Sequence, residues 1–194
     1  EDPRRQRQMC IRDRSNTYTK DEIIKWEERI LKILGNDITI SFSCELKFDG
    51  ASINLTYKEG ELVKALTRGD GLKGDEITEN IKTIKTIPLK LKGEYPKFFE
   101  VRGEIILPIK DFNKMNMQRA ELGEALYSNP RNTASGSLKL QDSSQVARRP
   151  LKCFIYSVVG DELNLYDQSE VLKKAREWGF KVPNSAKLVD SIDK

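Results

Sequence analysis

The apolar residues of this chain keep two rhythms. Behind a Thr19/Glu22 capping box, Ile23, Ile30, Leu31 and Leu34 recur on one helical face until Gly35-Asn36 supplies a stop, so an amphipathic helix is expected from Thr19 to Leu34. The rhythm then changes. Ile38 to Cys44, Ala51 to Tyr57 and Glu61 to Thr67 alternate or run apolar with β-branched content, and Lys58-Glu59-Gly60 is short enough to join the last two as a hairpin. Asp75 to Ile84 reads as a helix, Lys97 to Leu107 as a strand interrupted by Gly103, and Asp111 to Ala125 as a helix entered through Pro108. Asn129 can cap a helix whose first position is Pro130, Leu151 to Val159 is a buried strand, and Gln168 to Trp178, stopped by Gly179, is the last clear helix.

Strands and helices interleave, but a doubly wound parallel sheet needs long crossovers, and the early strands have hairpin-length connections. The pattern therefore predicts an α+β core with largely antiparallel sheets flanked by helices. At 194 residues with 38% apolar content, one domain-sized core is expected, over residues 15–194. No apolar stretch approaches a membrane span and no signal-peptide pattern appears, so the chain is read as cytoplasmic, without a membrane partner.

Composition narrows the chemistry. There is no histidine, which removes Ser-His, Cys-His and histidine-metal chemistry. Cys10, Cys44 and Cys153 are isolated, without the spacing of a zinc site, and no metal ligands are assigned. Reaction chemistry must run through Lys, Arg, Asp or Glu. The net charge of +4 is uninformative globally, because Glu1 to Arg14 alone hold five arginines against three acids. That segment has no apolar pattern, and Met9 to Arg14 is what one reading frame of a sequencing-library transposase adapter encodes. Residues 1–14 are read as a non-native leader, a basic nucleic-acid arm being the other reading.

Cys44-Glu45-Leu46-Lys47-Phe48-Asp49-Gly50 puts a lysine two positions from a carboxylate, with a glycine directly after. A lysine attacks phosphorus only as the neutral amine, which apolar shielding and nearby cations favour. Phe48 and Leu46 are expected to shield Lys47, strand alternation to place Glu45, Lys47 and Asp49 on one face, and Gly50 to permit a tight turn or close approach. A surface Lys-Asp pair before a hairpin is the competing reading.

The motif has company. Thr67-Arg68-Gly69-Asp70-Gly71, Glu100-Val101-Arg102-Gly103-Glu104, Asn129-Pro130-Arg131-Asn132 and Arg149-Pro150-Leu151 follow in order. Their order and spacing resemble the adenylation domain of bacterial NAD-dependent DNA ligases, closely from about Asn16 to Gly160 and more loosely beyond. The resemblance implies a nucleotidyltransferase (ATP-grasp-like) fold and a monomeric enzyme that forms a lysyl-AMP intermediate and seals nicks in duplex DNA during replication and repair. It implies NAD and magnesium as cofactors and nicked duplex DNA as partner, with zinc confined to a C-terminal part beyond Lys194. Lys47 is then the nucleophile, and Asp49 assists the later steps. Glu104 binds the adenylate ribose hydroxyls, Arg68 contacts the nucleotide, Glu45 the adenine or its surroundings, and Tyr156 stacks on the base, although an aromatic in an apolar strand also serves a core. Arg131, Lys139 and Arg148 fall on the DNA side.

Compared with that family, the chain lacks the preceding nicotinamide-binding domain and stops before the D-G-V-V-x-K segment, so it reads as a C-terminally truncated adenylation domain, inactive or severely impaired alone. An ATP-dependent polynucleotide ligase or capping-type nucleotidyltransferase shares K-x-D-G. A catalytically incomplete nucleic-acid-binding fragment held through Arg131, Lys139, Arg148 and Arg149 is the alternative of a different class.

Overall fold

The computed structural model describes residues 16–35, 38–69, 74–163, 165 and 167–192. The expected leader lies outside them, as do Asp70 and Gly71. In chain order the elements are α1 (Lys20–Leu34), β1 (Phe42–Cys44), β2 (Ala51–Lys58), β3 (Glu61–Thr67), α2 (Thr78–Ile81), β4 (Phe98–Ile106), α3 (Ile109–Glu121), α4 (Pro130–Leu138), α5 (Ser143–Ala147), β5 (Lys152–Val159), α6 (Gln168–Glu177) and β6 (Lys187–Val189). Helices and antiparallel strands are mixed, as expected. Among the described residues no helix is long and apolar enough to cross a membrane. Contacts divide the chain into two units, one reaching Glu45 and resuming at Ala186, the other Leu46–Ser185.

In the smaller unit α1 starts at its capping box, with the Glu22 amide donating to Thr19 Oγ1 and the Thr19 amide to Glu22 Oε2 at 3.1 Å. It stops at Gly35, whose φ of +97° suits a residue without a Cβ. β1 pairs antiparallel with β6, setting Phe42 opposite Val189, and Phe42 meets the Trp26 ring at 5.6 Å. The strand expected from Ile38 is thus only its last three residues, because only those have a partner.

The larger unit is built on a four-stranded antiparallel sheet in the order β3-β2-β4-β5. The β2–β3 hairpin turns on Glu59 and Gly60, both with positive φ (50° and 77°), the geometry that matches strand twist. Alternation then sorts the faces. Ile53, Leu55, Tyr57, Phe99, Val101, Ile105, Cys153 and Ile155 are buried, and Trp178 and Phe180 extend that core through ring contacts with Phe99 and Tyr57. The opposite face carries Ser52, Asn54, Arg102, Glu104 and Phe154, all half-buried.

Two expected helices are shorter. Asp75 to Ile84 contains only α2, because the chain stays extended through Glu76, which bridges to Leu66, and Ile77, whose amide donates to Ala65 O. α3 ends at Glu121 rather than Ala125, and Gly123 follows with φ +69°.

Candidate active site

Residues 45–49 belong to no strand, so the expected alternation of Glu45, Lys47 and Asp49 is not realised. The segment is placed by contacts at its end. Phe48 stacks on Phe154 with ring centroids 4.5 Å apart and planes 10° off parallel, fixing the loop against the polar face of β5. Gly50 lies so close to β4 that a Cβ there would sit 2.1 Å from Ile105 O, and its amide donates to Glu104 Oε1 at 3.2 Å. The glycine is required by close approach. Leu46 is 62% exposed and Lys47 is itself exposed, while the half-buried Phe48 spends its ring on Phe154, so the expected apolar shielding of Lys47 is not realised.

Glu104 is the centre of the cluster. Partial burial makes its carboxyl harder to ionise than an ordinary glutamate, against the Gly50 hydrogen bond and the charges of Lys47 and Arg131, while Asp49 adds to the upward shift. One carboxyl therefore feels the nucleophile candidate, the second carboxylate and an arginine from α4. Arg131 Nη1 donates to Asp49 Oδ1 at 3.1 Å, so this expected DNA contact stands beside the K-x-D-G turn.

Tyr156 reaches the same face through an irregularity. In the β4–β5 register Arg102 faces Ser157 and Gly103 faces Ile155, which leaves Tyr156 as the extra residue of a bulge. Its hydroxyl meets Ser52 Oγ at 2.8 Å, so the ring crosses from β5 to β2 over β4. Gly103 permits this register: a Cβ there would lie 2.9 Å from Cys153 Sγ and from Phe154 O. Ser52 was missed by the sequence reading, although it is two residues beyond Gly50 on the polar face of an alternating strand.

The remaining candidates are dispersed. Arg68 follows β3, its amide donating to Ser52 O at 3.1 Å while its side chain is exposed. Lys139 caps the far end of α4 and pairs with Asp75 at 2.7 Å. Arg148 is exposed at the end of α5. Glu45 belongs to the smaller unit, where it accepts from Ser43 Oγ at 3.1 Å. Among the described residues no three Cys, Asp or Glu side chains converge as metal ligands.

A carboxyl that feels a lysine, a second carboxylate and an arginine, on the sheet face where the Tyr156 hydroxyl meets Ser52, suits a bound nucleotide whose phosphate faces an amine. Residues 4–194 match the family of the NAD-dependent DNA ligase adenylation domain. The chain is 62% identical over 177 residues to a DNA ligase of Flavobacterium johnsoniae, covering 91% of this chain and 26% of that protein. A DNA ligase of Christiangramia forsetii is 58% identical over 179 residues, covering 92% and 27%, and one of Bacteroides fragilis 48% over 169 residues, covering 87% and 25%. The chain spans about a quarter of the length of these curated relatives.

Proposed function

Since the chain belongs to the NAD-dependent DNA ligase adenylation domain family, we propose that it is the adenylation core of a ligase that seals nicks in duplex DNA, on a nucleotidyltransferase fold. The observation that carries the proposal is the convergence on Glu104 of the Gly50 amide and the charges of Lys47, Asp49 and Arg131.

In this reading the Lys47 amine attacks the α-phosphate of NAD. The bond to nicotinamide mononucleotide breaks, and a phosphoramide bond to AMP forms. Glu104 accepts from the ribose hydroxyls, and Tyr156, its hydroxyl tied to Ser52, offers its ring to adenine. Arg68, whose amide donates to Ser52 O, adds a further nucleotide contact. Asp49 assists transfer of AMP to the 5′-phosphate of the nick and attack by the 3′-hydroxyl. Arg131, Lys139 and Arg148 supply phosphate contacts. Magnesium, as the family implies, would accompany the phosphates and offset their charge.

Incubation of the whole protein with NAD, followed by intact mass, tests the assignment. A gain of one AMP is expected, and its persistence in Lys47→Ala would overturn it.

A further inference from the structure

We propose that Tyr127 is a positioning residue, held by Arg149, that sets Arg131 against Asp49. A cluster separate from the Glu104 site carries the argument. Asn116 pins the Tyr127 backbone on both sides: its Oδ1 accepts from the Tyr127 amide at 2.9 Å, and its Nδ2 donates to the Tyr127 carbonyl at 3.0 Å. The Tyr127 hydroxyl accepts from Arg119 Nη1 at 3.3 Å and from Arg149 Nη2 at 3.1 Å. Both guanidinium carbons lie over the ring, 4.4 and 5.4 Å from its centroid.

The two arginines differ in an informative way. Arg119 is neutralised by Glu124 at 2.8 Å. Arg149 is half-buried and meets two hydroxyls and a ring rather than a carboxylate; its second nitrogen, Nη1, donates to Ser137 Oγ at 2.5 Å. Ser137 is fully buried on α4. One guanidinium thus grips the chain before Arg131, at Tyr127, and after it, at Ser137. Between these grips Asn129 caps α4, accepting from the Asn132 amide at 2.7 Å, and Pro130 opens the helix. Both the entry of the helix and its rotation about its axis are fixed.

Magnitudes show why such support is needed. The Arg131–Asp49 pair is exposed, with side chains 64% and 76% accessible, and exposed pairs contribute about 0–1 kcal/mol. A pair that weak does not hold a nine-residue helix in place; the helix must present Arg131 already aimed. The functional consequence rests on reading Arg131 as a DNA-phosphate contact, whereas the positioning itself does not.

The test uses Tyr127→Phe, which keeps the ring and removes only the shared acceptor, and Arg149→Lys, which keeps the charge but loses the planar fork whose two nitrogens reach the two hydroxyls separately. In the 194-residue chain the side-chain Nε–Hε resonance of Arg131, assigned with Arg131→Lys, should move in both variants toward its position in Asp49→Asn. A stabilising role alone would lower Tm and leave that resonance in place, and an unmoved resonance in both variants overturns the proposal. On nicked duplex, Tyr127→Phe should lower the salt slope by about one unit, as Arg131→Ala does, and the double variant should fall no further. Additive losses also overturn it. If Arg131→Ala leaves nick binding unchanged, the DNA reading of Arg131 fails, and the resonance still decides the positioning.

Discussion

Glu104 keeps its carboxyl half out of water, and that burial outweighs the Gly50 amide and the charges of Lys47 and Arg131. A carboxyl whose folded value is raised costs the fold stability above that value and nothing below the unfolded one. Glu104→Gln, which retains an acceptor for Gly50, should therefore raise Tm at neutral pH. The gain should vanish as pH falls below 4.5, the ordinary glutamate value, where the wild-type side chain is protonated in both states. Calorimetry across pH checks this, and a lowered Tm at neutral pH would count against it. The same change should damage adenylation in the whole protein by removing an ionised acceptor for the ribose hydroxyls. Lys47, Asp49 and Glu104 were legible in the sequence because each sits in a short block with a fixed neighbour. The Arg131–Asp49 pair was not, since 82 residues separate its members and only the fold closes that distance.

Tertiary pairing overrode local pattern in α2 and in the strand before Lys47, and these are where the element boundaries moved. Asn80 shows what α2 is for: its buried amide donates to Leu138 O at 2.8 Å and Leu140 O at 2.7 Å, tying the end of α4 to the sheet edge. Asn80→Ala should cost about 2 kcal/mol, two net hydrogen bonds, and lower Tm by roughly 4–8 °C in thermal unfolding. An unchanged Tm would mean that the end of α4 is held by other contacts. The long helices and strands were readable because their own residues supply caps and alternation, as at Thr19 and Asn129. The bulge at Tyr156 was not: it is a property of two strands in register, visible only when Arg102 and Gly103 meet their partners.

For the whole protein, the proposed function predicts nick sealing with NAD and none with ATP; parallel ligation assays check it, and sealing with ATP alone would move the protein to another branch. Lys139→Ala should weaken binding to nicked duplex and lower the salt slope by about one unit while sparing adenylation. The chain's two tryptophans divide between its two units and differ in surroundings: Trp26 is 39% exposed beside Phe42, whereas Trp178 is 1% exposed and donates its indole N–H to Glu94 O at 2.7 Å. Each unit therefore carries its own optical label, so that Trp26→Phe should leave a blue emission shielded from acrylamide and Trp178→Phe a redder one that acrylamide quenches.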